Sequence, residues 1–130
     1  MYLLDTNTVI YYFKNLGQVA DRLLSHSPDQ IAIPAVVVYE LETGIAKSTQ
    51  PEKRRAQLDT LLRTVAIWPF ALAEAQATAT LRATLEKAGQ PLGPMDYLIA
   101  GTALAHQAIL VTHNTREFSR APGLLCEDWY

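Results

Sequence analysis

The sequence predicts an α/β fold, a parallel sheet covered by helices on both faces. Three observations predict it. Short apolar runs alternate along the chain with longer stretches of helical spacing. At least one run, "AILVT", is apolar almost throughout, as a strand buried on both faces must be. Proline, glycine and small polar residues punctuate the changeovers. Strands joined through helices in this way lie parallel, and such sheets form their sites at the carboxyl ends of the strands.

The elements follow in order. "YLL" at 2–4 is the first strand. A helix is expected over 8–25, where Val9, Ile10, Phe13, Leu16, Ala20, Leu23 and Leu24 recur at helical spacing, and "HSPDQ" breaks it. "IAI" at 31–33 is the second strand. Pro34 suits the first turn of a helix through "AVVVYELETGIAKS", whose Val-rich start has poor helix propensity and must be held by packing. "QPEKRRAQLDTLLRT" is another helix, with Pro51 near its start. "VAIWPF" carries a short strand stopped by Pro69. Residues 71–88 form a long Ala-rich helix ending at Gly89. "GPMDYLIAGTALAHQ" is the next helix, with Pro94 in its first turn. "AILVT" at 108–112 is a strand, "REF" a helical turn, and "GLLCEDW" a last strand or edge. No repeat or linker divides the chain, so residues 1–130 read as one domain.

Composition bounds the function. Apolar residues make up 49% of the chain and charged ones 18%, enough for a sizeable core and against disorder. No apolar run is long enough to span a membrane, and residues 1–10 lack the basic start of a signal peptide. The single cysteine, Cys126, excludes an internal disulfide framework. Together these features lead to the expectation of a cytoplasmic protein. A net charge of −2 speaks against broad, non-specific coating of nucleic acid, though not against a local basic rim.

The acids are placed unusually. Asp5 falls at the carboxyl end of the first strand. Glu40 lies two turns into the helix after the second strand. Asp96 is in the first turn of the helix that begins at Gly93, and Asn114 comes just after "ILVT". Each has an ordinary explanation. Asp5 is a good helix cap. Asp96 complements a helix dipole, worth roughly 0.3–1 kcal/mol. Glu40 suits a solvated helix face, and Asn114 a turn. Taken jointly, they bring like charges to one sheet edge, where they repel without a cation. Hard oxygen ligands with no paired Cys or His suit Mg²⁺ or Mn²⁺. Such ions orient phosphate and activate water for phosphodiester hydrolysis.

Four stretches, "LLDTNTVIYYF", "VVVYELETGIAKS", "GPMDYLIAGTALAH" and "ILVTHNTREFSRAPGLLCEDW", resemble in order the motifs of PIN-domain toxins of the VapC kind. The resemblance spans nearly the whole chain. It implies a three-layer α/β/α PIN-like domain with a central parallel sheet. It also implies a metal-dependent endoribonuclease, the toxin of a type II toxin–antitoxin pair, inhibited by a cognate VapB-like antitoxin and assembled as a homodimer. By position, Asp5, Glu40 and Asp96 become the acidic metal ligands and water-orienting groups. Asn114 falls where many PIN domains carry a fourth acid, a departure that bears on whether a second ion is held. Thr6 and Asn7 fit the family's polar turn and are placed beside the substrate or a metal-bound water.

Other residues are weighed against these. Lys53, Arg54 and Arg55 read as a solvated helix face; Lys47 and Arg116, each near a motif end, are preferred as contacts to RNA phosphates. His106 reads as structural or exposed; His113 adjoins Asn114 but is not counted among the site residues, substrate contact being its lesser reading. Tyr11, Tyr12 and Phe13 cannot all face one side of a helix, so aromatic surface is expected to remain for a partner. A haloacid-dehalogenase-type phosphatase would match "DTNTV" except at Asn7, where that chemistry needs a second Asp. A phosphate-accepting receiver domain would need an acid beside Asp5 and a Lys after "ILVT", and both are missing. A PIN fold that binds RNA or antitoxin without cutting remains the alternative.

Overall fold

β1 (Tyr2–Leu4), β2 (Ile31–Pro34), β3 (Ala66–Trp68), β4 (Ile109–Val111) and β5 (Leu125–Glu127) form one sheet in the computed structural model, which describes residues 1–130. Every pairing is parallel, and the order is β3-β2-β1-β4-β5. The register sets Leu3 opposite Ala32 on one side and Leu110 on the other. Successive strand residues point to opposite faces, yet Leu3 and Leu4 are both fully buried, as are Ala32, Ile33, Leu110 and Val111. Helices therefore cover both faces, and the three-layer expectation holds.

The helices are α1 (Thr6–Phe13), α2 (Val19–Leu24), α3 (Ala35–Ala46), α4 (Pro51–Leu62), α5 (Leu72–Lys87), α6 (Pro94–His106) and α7 (Thr115–Phe118). None is long and apolar enough to cross a membrane. From β1 the chain steps outward through β2 to β3, then returns to the other side of β1 for β4 and β5. The switch point lies between β1 and β4, where sheets of this kind open a crevice at their carboxyl edge. The start of α1 directly follows β1, and the start of α7 closely follows β4.

The structure corrects several boundaries. The expected helix over 8–25 is two helices, α1 and α2. Asn15 and Gly17 between them adopt left-handed backbone conformations, with φ of 54° and 60°. A Cβ on Gly17 would collide with the Tyr130 carbonyl, so glycine here allows a close approach as well as a turn. The helix also begins at Thr6, because Asp5 caps it. Pro34 closes β2, opposite Trp68, and precedes α3 as its cap instead of entering its first turn. α3 ends at Ala46, two residues before the expected end. "PDQ" forms one turn of 3₁₀ helix. Tyr11, Tyr12 and Phe13 all pack partly against the core and keep only part of their surface in solvent. His106 is structural: its Nε2 lies 2.7 Å from Glu74 Oε2, and its ring stacks on Trp68 at 4.0 Å.

Candidate active site

Asp5 leaves β1 at the switch point and is only 6% exposed. Its Oδ1 accepts from the Thr8 backbone N–H at 2.9 Å, and its own N–H donates to the Val111 carbonyl at 3.2 Å. Thr8 Oγ1 donates to the same carbonyl at 3.0 Å. β1, α1 and β4 are thus tied together at the point where the carboxylate emerges. Burial raises the Asp5 pKa above the ordinary carboxylate value; the Thr112 hydroxyl and Thr8 pull it down, and the charge of Asp128 pushes it up again.

Glu40 comes from α3 and is half-buried. Thr6 Oγ1 donates to its Oε1 at 2.5 Å, so the first turn of α1 fixes the carboxylate of the neighbouring helix. Asp96 occupies the first turn of α6, also half-buried. Its pKa is raised first by burial, then by the negative charges of Glu117, Asp5 and Glu40, in that order.

Glu117 was not picked out from the sequence, yet its charge weighs more on Asp96 than either Asp5 or Glu40 does. It lies on α7, one turn after Asn114, which precedes that helix. The Asn114 N–H donates to Thr112 Oγ1 at 3.0 Å, and its side chain forms no cap bond. The sequence signal was the short helix itself: an acid three residues past Asn114 comes round to a similar side. Asp128 was missed likewise. It follows β5, which runs parallel beside β4, so both strands deliver their carboxyl ends to one edge.

The remaining predicted residues are more peripheral. Asn7 is exposed in the first turn of α1. Lys47 is the exposed C-cap of α3, and Arg116 is exposed on α7; neither forms an ion pair. Arg55 is tied to Glu42 through both guanidinium nitrogens, at 2.7 and 2.5 Å. Arg54 lines a cleft of about 190 Å³ between α1 and α3, with Glu40, Lys14 and Ser48 at its polar rim and Ile10, Phe13, Leu41 and Ile45 among its walls.

No three His, Cys, Asp or Glu side chains stand close enough to share one ion. The donor chemistry still suits a hard divalent cation: all the groups are carboxylate oxygens, and Asp96 carries the mutual repulsion that a cation would offset.

Comparison with known proteins agrees with this geometry. The PIN domain family profile matches residues 2–124. The tRNA(fMet)-specific endonuclease VapC of Shigella flexneri is 36% identical, over 98% of this chain and 97% of its own length. The DNA-bound VapBC structure from Salmonella typhimurium superposes with a TM-score of 0.92 at 34% identity, covering 99% of this chain and 98% of the other. VapBC2 from Rickettsia felis, bound to a fragment of its promoter, gives 0.90 at 34% identity, covering 99% and 98%. The phosphatase and receiver readings fall with these matches. A family match over nearly the whole chain and relatives above 30% identity along their full length settle the class: the chain belongs to the PIN domain family, in its VapC branch.

Proposed function

We propose that this chain is the toxin of a toxin–antitoxin pair, an endoribonuclease that hydrolyses RNA phosphodiester bonds and is held in check by a VapB-like antitoxin. The observation that carries the reading is the buried Asp5 carboxylate at the switch-point end of β1, with Glu40 held beside it by the Thr6 hydroxyl and Asp96 at the start of α6 near enough for its pKa to rise. A divalent cation, Mg²⁺ or Mn²⁺, would be held mainly by Asp5 and Asp96, with Glu40 reaching it through water and Glu117 standing near the place of a fourth acid at Asn114. When bound, such an ion polarises the scissile phosphate and lowers the pKa of the attacking water. The chain's own part is placement. β1 fixes Asp5, Thr6 holds Glu40 through its hydroxyl, and Thr8 locks the start of α1 to β4. Lys47 and Arg116 take phosphates at the rim, with Asn7 beside the substrate.

The solved relatives are toxin–antitoxin complexes, which supports a protein inhibitor as partner. The cleft between α1 and α3 opens on Glu40 and gives such an inhibitor a route to the site. A homodimer belongs to the same reading, and Ile67, Phe70 and Leu72, exposed around the β3 edge, are available apolar surface for it.

The test is direct. Purified protein should cut RNA in Mg²⁺ and stop in EDTA, with the initiator tRNA as first substrate because the Shigella relative is named for it. Asp5→Asn and Asp96→Asn should each lower cleavage by at least about a hundredfold, roughly 2.7 kcal/mol of lost transition-state stabilisation, with unchanged circular dichroism. Full cleavage by either variant removes the assigned roles. Intact binding with no cleavage by the parent chain favours the non-cutting alternative.

A further inference from the structure

Beside the carboxylates lies an aromatic surface that the hydrolytic chemistry leaves unused. The His113 ring stacks on Tyr130, with centroids 4.4 Å apart and planes 27° from parallel. Tyr11 meets Tyr130 edge-on at 4.9 Å and His113 at 5.9 Å. These rings are held from behind. Asp128 Oδ2 lies 2.9 Å from His113 Nδ1, and Asp128 Oδ1 accepts from the Tyr130 N–H at 2.9 Å. The Tyr130 carbonyl accepts from the Gln18 N–H at 2.7 Å, in the gap that Gly17 leaves open. Orientation is thus fixed, yet His113 and Tyr130 keep nearly half their surface in solvent, at 48% and 46%. The position is also telling. His113 lies two residues past Val111, whose carbonyl accepts from the Asp5 N–H, and Asp128 follows Glu127, whose carbonyl accepts from the Thr112 N–H at 2.9 Å, so the rings leave the same sheet edge as Asp5.

We propose that His113 and Tyr130 form a stacking platform for one unpaired nucleobase of the RNA next to the scissile phosphate. The inference rests on the ribonuclease reading above. A π-face accepts any base, so the platform reads strandedness more than base identity. In a duplex both faces of a base are already stacked, whereas a base in a loop is free to be splayed onto aromatic side chains. The platform therefore selects loops or single strands over helices, while phosphate contacts supply sequence-independent affinity. Tyr11 acts as a positioning residue, holding the Tyr130 ring from its edge.

The experiment uses Asp96→Asn as a non-cutting background and an RNA hairpin carrying 2-aminopurine in its loop. Binding is expected to quench the fluorophore by stacking. Tyr130→Leu, which keeps apolar contact with Tyr11 but lacks a π-face, should lose the quench and bind about 5- to 150-fold more weakly. Tyr130→Phe should keep both. In the cutting protein, Tyr130→Leu should raise KM on loop substrates with kcat little changed. Thermal melts of both variants confirm the fold at this exposed position. Equal affinity of Leu, Phe and parent proteins, with no quench in any, overturns the platform and leaves the ribonuclease standing. A parent chain that neither binds nor cuts RNA removes both proposals together.

Discussion

Asp5 is a helix cap and a buried carboxylate at once: the bond from Thr8 N–H to its Oδ1 starts α1, while burial makes its negative charge costly. Asp96 bears a similar cost from burial and from three like charges. A carboxyl whose folded pKa lies above its unfolded value weakens the native state when ionised. The penalty is full above the folded pKa and gone below the unfolded one. In chelator at pH 7, Asp96→Asn should therefore melt above the wild type, and the gap should close as pH falls toward the ordinary carboxylate range near ~4. Melting curves across pH check this; an Asn variant that melts lower at neutral pH would return Asp96 to a simple dipole role. Tyr97, next in the chain, hides a hydroxyl with no partner although the residue is only 5% exposed. Tyr97→Phe removes that orphan and keeps the ring under Arg82, so denaturant unfolding should show a gain of about 1 kcal/mol. Asp5 and Asp96 stand out as single letters because each abuts a helix start, whereas Glu40, inside α3, is picked out only through the motif around it. Glu117 does not stand out, because its place depends on a four-residue helix that turns it back toward Asp96.

Among the elements, α5 and α6 make the most intimate pair. They come close at Thr78 and Gly101, where an added Cβ would overlap the Thr78 side chain and meet its backbone. The Thr78 hydroxyl there is buried without a partner. Gly101→Ala gains helix propensity in isolation, by about 1 kcal/mol, yet must push the helices apart. We expect a net loss of about 1–3 kcal/mol in urea unfolding, the ordinary cost of overpacking, and with it a displaced Asp96 at the start of the same helix. Element types were mostly legible because proline marks their starts and apolar periods their lengths. The exception was the helix over 8–25. Its apolar spacing runs on through Leu16 and Ala20, but the backbone does not: Gly17 turns so that the Tyr130 main chain can reach Gln18. A contact with the far end of the chain is invisible to local periodicity. The Pro34 boundary was misplaced for a related reason, since pairing with β3 extended the strand into a residue that also suits a helix start.

For the molecule as a whole, the repulsion at the site makes a bound cation a stabilising ligand. At a hundredfold excess over its dissociation constant, Mg²⁺ or Mn²⁺ should add about 2.7 kcal/mol to the wild type and much less to Asp96→Asn. The order of melting temperatures should then invert between chelator and saturating metal. Parallel shifts in the two proteins would argue against a shared metal site. The sheet order also has a consequence for the timing of synthesis. β1 is made first but sits in the middle, and the bond from Thr8 to the Val111 carbonyl spans 103 residues. Asp5 therefore leaves the ribosome long before the strand that seats it, and Glu117 and Asp128 follow later still. Through that interval Asp5 has neither Val111 to seat it nor Glu117 and Asp128 beside it. The site forms only once the strands and helices that flank β1 have emerged and long-range pairing can proceed. An inhibitor of the proposed kind would find its target only when that late pairing completes the site.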